Sequence, residues 1–142
     1  MELTTTRADR SSRAPWSEKA RGFVGGFYLT MAGVNAGIVF ADPESYRHFA
    51  DGAHLDFVNR GWNEIVMTNP SFWVLLLAAG ELTLGALLLS GGRAARIGWL
   101  GVIVFHVLLM LFGPGIWLWC VPALAALIPA VRADWPLLTK EH

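Results

Sequence analysis

From Gly22 to Ala41 the chain runs for 20 residues without a single charge. At about 1.5 Å of rise per residue, that length matches a hydrocarbon core about 30 Å thick. The stretch reads as a membrane-crossing helix. Three more such stretches follow, at about 72–90, 97–112 and 116–131. Glu81 is the only charge in the second, and Pro122 lies inside the fourth, where it is expected to bend the helix. Gly91-Gly92 stops the second span, and Arg93-Ala94-Ala95-Arg96 then reads as a short basic turn. Gly113-Pro114-Gly115 reads as the tight turn of a helical hairpin. The expected fold is therefore all-α, an integral membrane four-helix bundle. Gly22, Gly26, Gly33 and Gly37, spaced in pairs four apart, and Gly85 in the second span, are the expected helix-packing positions.

The remaining segments complete the layout. Residues 1–20 are polar and basic and are expected to form a disordered cytoplasmic tail. The four-span domain covers 21–135, and 136–142 make a second cytoplasmic tail. The first span is too long, too glycine-rich and too well continued by later spans to be a cleaved signal peptide. Between spans one and two, 43–68 are expected to be helical. Asp42 suits an N-cap, Pro43 the first helical position, and Glu44 complements the helix dipole. Asp51-Gly52 breaks this piece. In the next, Leu55, Val58, Trp62 and Ile65 form one apolar stripe, so an amphipathic helix is expected at the interface or over the bundle mouth.

Basic residues set the orientation. Arg7, Arg10, Arg13, Lys19 and Arg21 precede span one; Arg93 and Arg96 lie between spans two and three; Arg132 and Lys140 follow span four. The 43–68 region and its entry are acidic. Both termini are thus expected on the cytoplasmic side of a plasma membrane, the inner membrane of a bacterium. Trp73, Trp117 and Trp119 fall near the outer boundary, and Trp99 and Trp135 near the inner one, as interfacial tryptophans.

Composition excludes several classes of function. Charged residues are 15% of the chain, against about 25% in a soluble domain. The formal net charge is zero, which gives no basis for a nucleic-acid partner. Cys120 is the only cysteine, so there is no internal disulfide and no CxxC pair. The four histidines lack ligand spacing, so no metal site is expected, and no phosphate loop or nucleophile–base pair is present.

The strongly polar residues within the spans are the candidates for chemistry. Glu81 lies near the middle of span two, where a carboxylate must face the bundle and find a partner, or be carried as the neutral acid. His106 in span three lies about one helical turn nearer the outer boundary, and Asn35 in span one is at a similar depth. The expectation is an intramembrane polar cluster of Glu81, His106 and Asn35, with Glu81 and His106 face to face. It serves either packing or proton and quinone contact.

Ala79-Gly80-Glu81-Leu82-Thr83-Leu84-Gly85-Ala86-Leu87-Leu88-Leu89, followed by Gly91-Gly92-Arg93, resembles the second span of DoxX-like membrane proteins. Arg21-Gly22-Phe23-Val24-Gly25-Gly26-Phe27 with Ala32-Gly33 resembles their first span. The resemblance covers about Arg21 to Val131. It departs at Asn35-Ala36, where many members carry a basic residue, so a role attached to that residue does not transfer. The resemblance implies a non-catalytic accessory subunit or anchor of a larger, redox-linked complex. One alternative is a quinone-interacting oxidoreductase subunit built on the Glu/His pair, and another is a small transporter component. No residue can be assigned a catalytic role. No cofactor signature is evident, and a quinone is the one cofactor left open. The expected partners are the bilayer and either a protein partner or a second copy of the chain.

Overall fold

The computed structural model describes residues 15–139, which are helical with no strand among them. In chain order, α1 (Trp16–Ala41) leads through a 3₁₀ helix (Pro43–Ala50) to α2 (Asp56–Gly61) and a π-helical turn (Trp62–Val66). Then come α3 (Pro70–Ser90), α4 (Gly92–Leu109, extended by a 3₁₀ turn to Phe112) and α5 (Pro114–Asp134). Among the described residues, α1, α3, α4 and α5 are long and apolar enough to cross a membrane, and the protein is a multi-pass membrane protein. Each runs opposite to its predecessor. They close a ring in which α1 packs on α3, α3 on α4, α4 on α5, and α5 back on α1.

The boundaries differ from expectation at three places. First, α1 starts at Trp16, so 16–20 are helical and do not belong to a disordered tail. Pro15 supplies an extended entry, and the first turns are held because Ser17 and Arg21 are drawn into the bundle. Residues 1–14 and 140–142 of the two expected tails lie outside the described residues. Second, Arg93–Arg96 is the opening of α4 and not a turn. The reversal is made by Gly91 and Gly92 alone, both at positive φ (74° and 53°), where a side chain would be strained. Third, α5 runs unbroken through Pro122 and Pro129, longer than the expected span.

Helix packing uses different glycines from those expected. Gly22, Gly26, Gly33 and Gly37 have open space where a Cβ would stand. They lie off the buried stripe of α1, which runs through Gly25, Tyr28, Ala32, Asn35 and Val39. The close approach of α1 to α3 is made by Gly25 and Gly85. A Cβ on Gly85 would stand 2.8 Å from the Gly25 carbonyl oxygen, and one on Gly25 would stand 2.9 Å from Leu89 Cγ. Gly85 is therefore a packing glycine, and its partner is Gly25.

At the end of the bundle where the chain enters α1 and leaves α5, one carboxylate gathers the helices. Arg21 Nε of α1 stands 3.0 Å from Asp134 Oδ2 of α5. Arg21 Nη1 donates to the Leu88 carbonyl of α3 at 3.0 Å. Trp99 Nε1 of α4 donates to the same Asp134 oxygen at 2.9 Å. Trp99 is thus a fully buried core residue and not an interfacial one, because its indole N–H has a partner only inside. Asp134 is likewise fully buried. Breaking a buried pair from one side strands a charge and costs about 3–5 kcal/mol, whereas replacing both partners can be near neutral. Asp134→Leu should therefore lower the melting temperature in detergent sharply, and Arg21→Leu combined with Asp134→Leu should recover part of the loss, since the Trp99 indole N–H stays unpaired in both. A double variant no more stable than the single one would show that the contact does not act as a pair.

Candidate functional site

Toward the opposite end, α1, α3, α4 and α5 all line a cavity of about 700 Å³. Its wall is largely apolar and aromatic, with Phe27, Trp73, Phe105 and Trp119 among the lining residues. The polar groups that reach it are Tyr28 and Asn35 from α1, Tyr46 from the 3₁₀ helix, Glu81 from α3 and His106 from α4. All three expected polar residues, Glu81, His106 and Asn35, thus line one cavity.

Hydrogen bonding divides them into two groups. Asn35 Nδ2 donates to Glu81 Oε2 at 2.8 Å, and the Tyr46 hydroxyl donates to Asn35 Oδ1 at 2.8 Å. Asn35 is therefore the bridge from the segment outside the membrane to the buried carboxylate. It uses both ends of its amide, which fixes the amide's orientation. In the second group, His106 Nδ1 lies 2.9 Å from the Val102 carbonyl and 3.3 Å from the Tyr28 hydroxyl. A carbonyl only accepts, so Nδ1 carries the proton, and the Tyr28 oxygen shares that N–H. In the neutral ring Nε2 is then left as an acceptor. The Tyr28 O–H remains available as a donor. Among the described residues no hydrogen bond joins Glu81 to His106; each is held by another residue of the same wall.

The segment between α1 and α3 lines the cavity through Tyr46, Phe49, Trp62 and Val66. Phe49, Trp62 and Phe112 pack their rings with centroids 4.9–5.3 Å apart, tying the segment to the α4–α5 hairpin. Trp62 Nε1 donates to the Tyr46 carbonyl at 2.9 Å, and Asn59 Nδ2 donates to the Ala50 carbonyl at 3.1 Å. Gly113, at φ 103°, packs against the Gly52 backbone so closely that a Cβ on it would run into the Gly52 carbonyl oxygen, which leaves no room for a side chain there. Burial, and secondarily the Glu81 carboxylate, push the Tyr46 hydroxyl above its ordinary pKa, which keeps it a donor to Asn35. The amphipathic stripe differs in detail from expectation. Trp62 and Val66 reach the cavity, while Leu55 and Ile65 are exposed. The π-helical turn at Trp62–Val66 changes the period, so Val66 takes the place that a regular helix gives to Ile65.

Neither Tyr46 nor Tyr28 belongs to the expected cluster of Glu81, His106 and Asn35. A sequence signal existed for Tyr28, which lies seven residues before Asn35 on the same face of α1. For Tyr46 there was none, since its position depends on how a short 3₁₀ helix folds back. Cys120 is fully buried, and no group of three or more His, Cys, Asp or Glu that could hold a metal stands together among the described residues. No family model, no curated protein and no solved structure matches this chain.

The pairing dictates a double-mutant cycle. Asn35→Leu strands the Glu81 carboxyl and the Tyr46 hydroxyl and should cost about 1–3 kcal/mol. Glu81→Gln keeps an acceptor of the same shape and should stay within about 0.5 kcal/mol of the parent. Asn35 and Glu81 should couple by about 0.5–2 kcal/mol, while Glu81 and His106 should be nearly additive. Reversal of that order, read from thermal or denaturant unfolding in detergent, would contradict the hydrogen-bond assignment.

Proposed function

We propose that this protein binds a membrane-soluble amphiphile with a small polar ring head, of the quinone type, in the cavity under its outer segment. It would do so as a non-catalytic subunit of a larger redox-linked complex in the plasma membrane. The observation that carries the reading is an apolar cavity of about 700 Å³ lined by a few hydrogen-bonding side chains, Tyr28, Asn35, Tyr46, Glu81 and His106. Ligand sites have this character, a mostly apolar pocket with a few placed polar groups. The chemistry fits the head. The Tyr28 hydroxyl is a donor for a ring carbonyl, and His106 Nε2 is an acceptor for a ring hydroxyl, so both redox forms find a partner. The DoxX-like resemblance of the first two spans favours the same setting. The basic residues at the Arg21, Arg93 and Arg132 end favour a cytoplasmic location for that end, with the cavity toward the outer face.

Native mass spectrometry of the purified protein, followed by organic extraction, tests the proposal. The expected result is a bound ring-headed lipid near one per chain, retained by Glu81→Gln and lost from His106→Leu combined with Tyr28→Phe. Recovery of the chain with no small molecule, but in a stable complex with another polypeptide, would favour an anchor without a ligand and overturn the binding role.

A further inference from the structure

A second depression lies on the outside of the bundle between α3 and α4. It has a volume of about 420 Å³, and Gly80, Thr83, Gly101 and Val104 are among the residues that line it. Leu77, Glu81, Phe105 and Leu108 line both this crevice and the central cavity, so the two spaces adjoin. We infer that this crevice is the lateral portal of the cavity, through which the tail of the bound amphiphile passes into the bilayer while its head stays inside. The inference rests on the ligand-binding reading above and adds where the ligand enters and what its other half must be.

Four observations support it. First, the crevice faces out of the bundle: Gly80 is exposed, Val104 is 54% exposed and Leu108 is 53% exposed. Second, it lies at membrane depth. Gly80 is about 15 Å along α3 from its outer end, and Val104 is about 12 Å below Phe112. The crevice therefore opens on lipid tails and not on water. Third, the missing side chains shape it. Nothing lies within 4 Å of a Cβ placed on Gly80, and the space that a Cβ on Gly101 would need is taken by the end of Leu84. Fourth, polarity is divided. Besides Glu81, the one polar side chain in the crevice is Thr83, whose hydroxyl already donates to the Ala79 carbonyl of its own helix at 2.8 Å. The cavity thus gathers the hydrogen-bonding side chains, and apart from Glu81, which lines both spaces and whose Oε2 accepts from Asn35, the crevice offers apolar contact to a chain. At the other end of the cavity the Phe49, Trp62 and Phe112 rings pack on one another and line it.

The occupant is therefore an amphiphile with a tail, entering from the bilayer. The test uses 2,3-dimethoxy-5-methyl-1,4-benzoquinone and its 6-decyl derivative, added to the full chain in lipid nanodiscs. Quenching of tryptophan fluorescence reports binding, since Trp62, Trp73 and Trp119 line the cavity. Gly80→Phe and Val104→Phe fill the crevice from opposite rims, and neither residue belongs to the polar wall. A phenyl ring there occupies the volume the tail would pass through, and a steric clash costing about 1.4 kcal/mol corresponds to a tenfold loss. Each variant should bind the decyl compound about tenfold more weakly than the parent protein and the tail-less compound within about twofold. If the decyl compound binds both variants as it binds the parent, or if both compounds weaken together, the portal is refuted while the cavity's ligand role stands. If neither compound quenches the parent protein, the ligand role and the portal are both refuted.

Discussion

The Asp134 carboxylate holds the closed end of the bundle. Through Arg21 and Trp99 it touches α1 and α4, and through Arg21 it reaches a carbonyl of α3. Helices in lipid gain nothing from hiding apolar surface from water, since lipid is as apolar as leucine. Close packing and satisfied polar contacts must supply the association instead. Here the two are in register. The carboxylate ties one end, and the Gly25–Gly85 approach presses α1 on α3 just beyond it. With that end fixed, the helices can separate at the other and leave a cavity without losing the ring.

The cavity end obeys the same rule in a different form. A carboxyl, an imidazole and two phenols lie where water is scarce, and each must be answered by protein. Asn35 answers Glu81, and the Val102 carbonyl answers His106. Asn35 in turn draws Tyr46 down from the segment outside the membrane, so the lid and the polar wall share one residue. A change at the wall is therefore felt in the lid. This coupling gives the outer segment a reason to be ordered beyond its own short helices, which are too brief to be stable alone.

Much of this was legible in the sequence, and the residues that were not share a cause. Four charge-poor stretches and two glycine turns fix the number of helices and their alternating direction, because lipid permits few other structures. Glu81, His106 and Asn35 stand out for the same reason. Their partners do not. Whether Glu81 meets His106 or Asn35 depends on helix rotation within one turn, and hydropathy does not resolve that. The glycines were misread because spacing four apart marks a possible close approach without saying which face is turned inward. Arg21 read as an ordinary flanking charge and Asp134 did not stand out at all, since a pair 113 residues apart in sequence (134 less 21) leaves no local pattern. The π-helical turn at Trp62–Val66 moved the apolar stripe by one residue, an effect that a regular helical period cannot anticipate.

The whole account requires three crossings between the lid and the end of α5, which puts the two on opposite faces of the membrane. Single cysteines at Ser45 and at Thr139, both exposed positions, test this directly in a Cys120→Ala background. In intact cells an impermeant maleimide should label Ser45→Cys and leave Thr139→Cys unlabelled until the membrane is opened. Labelling of both, or of neither, in intact cells would put the lid and the end of α5 on one face, and the four-helix ring with its lidded cavity would be wrong.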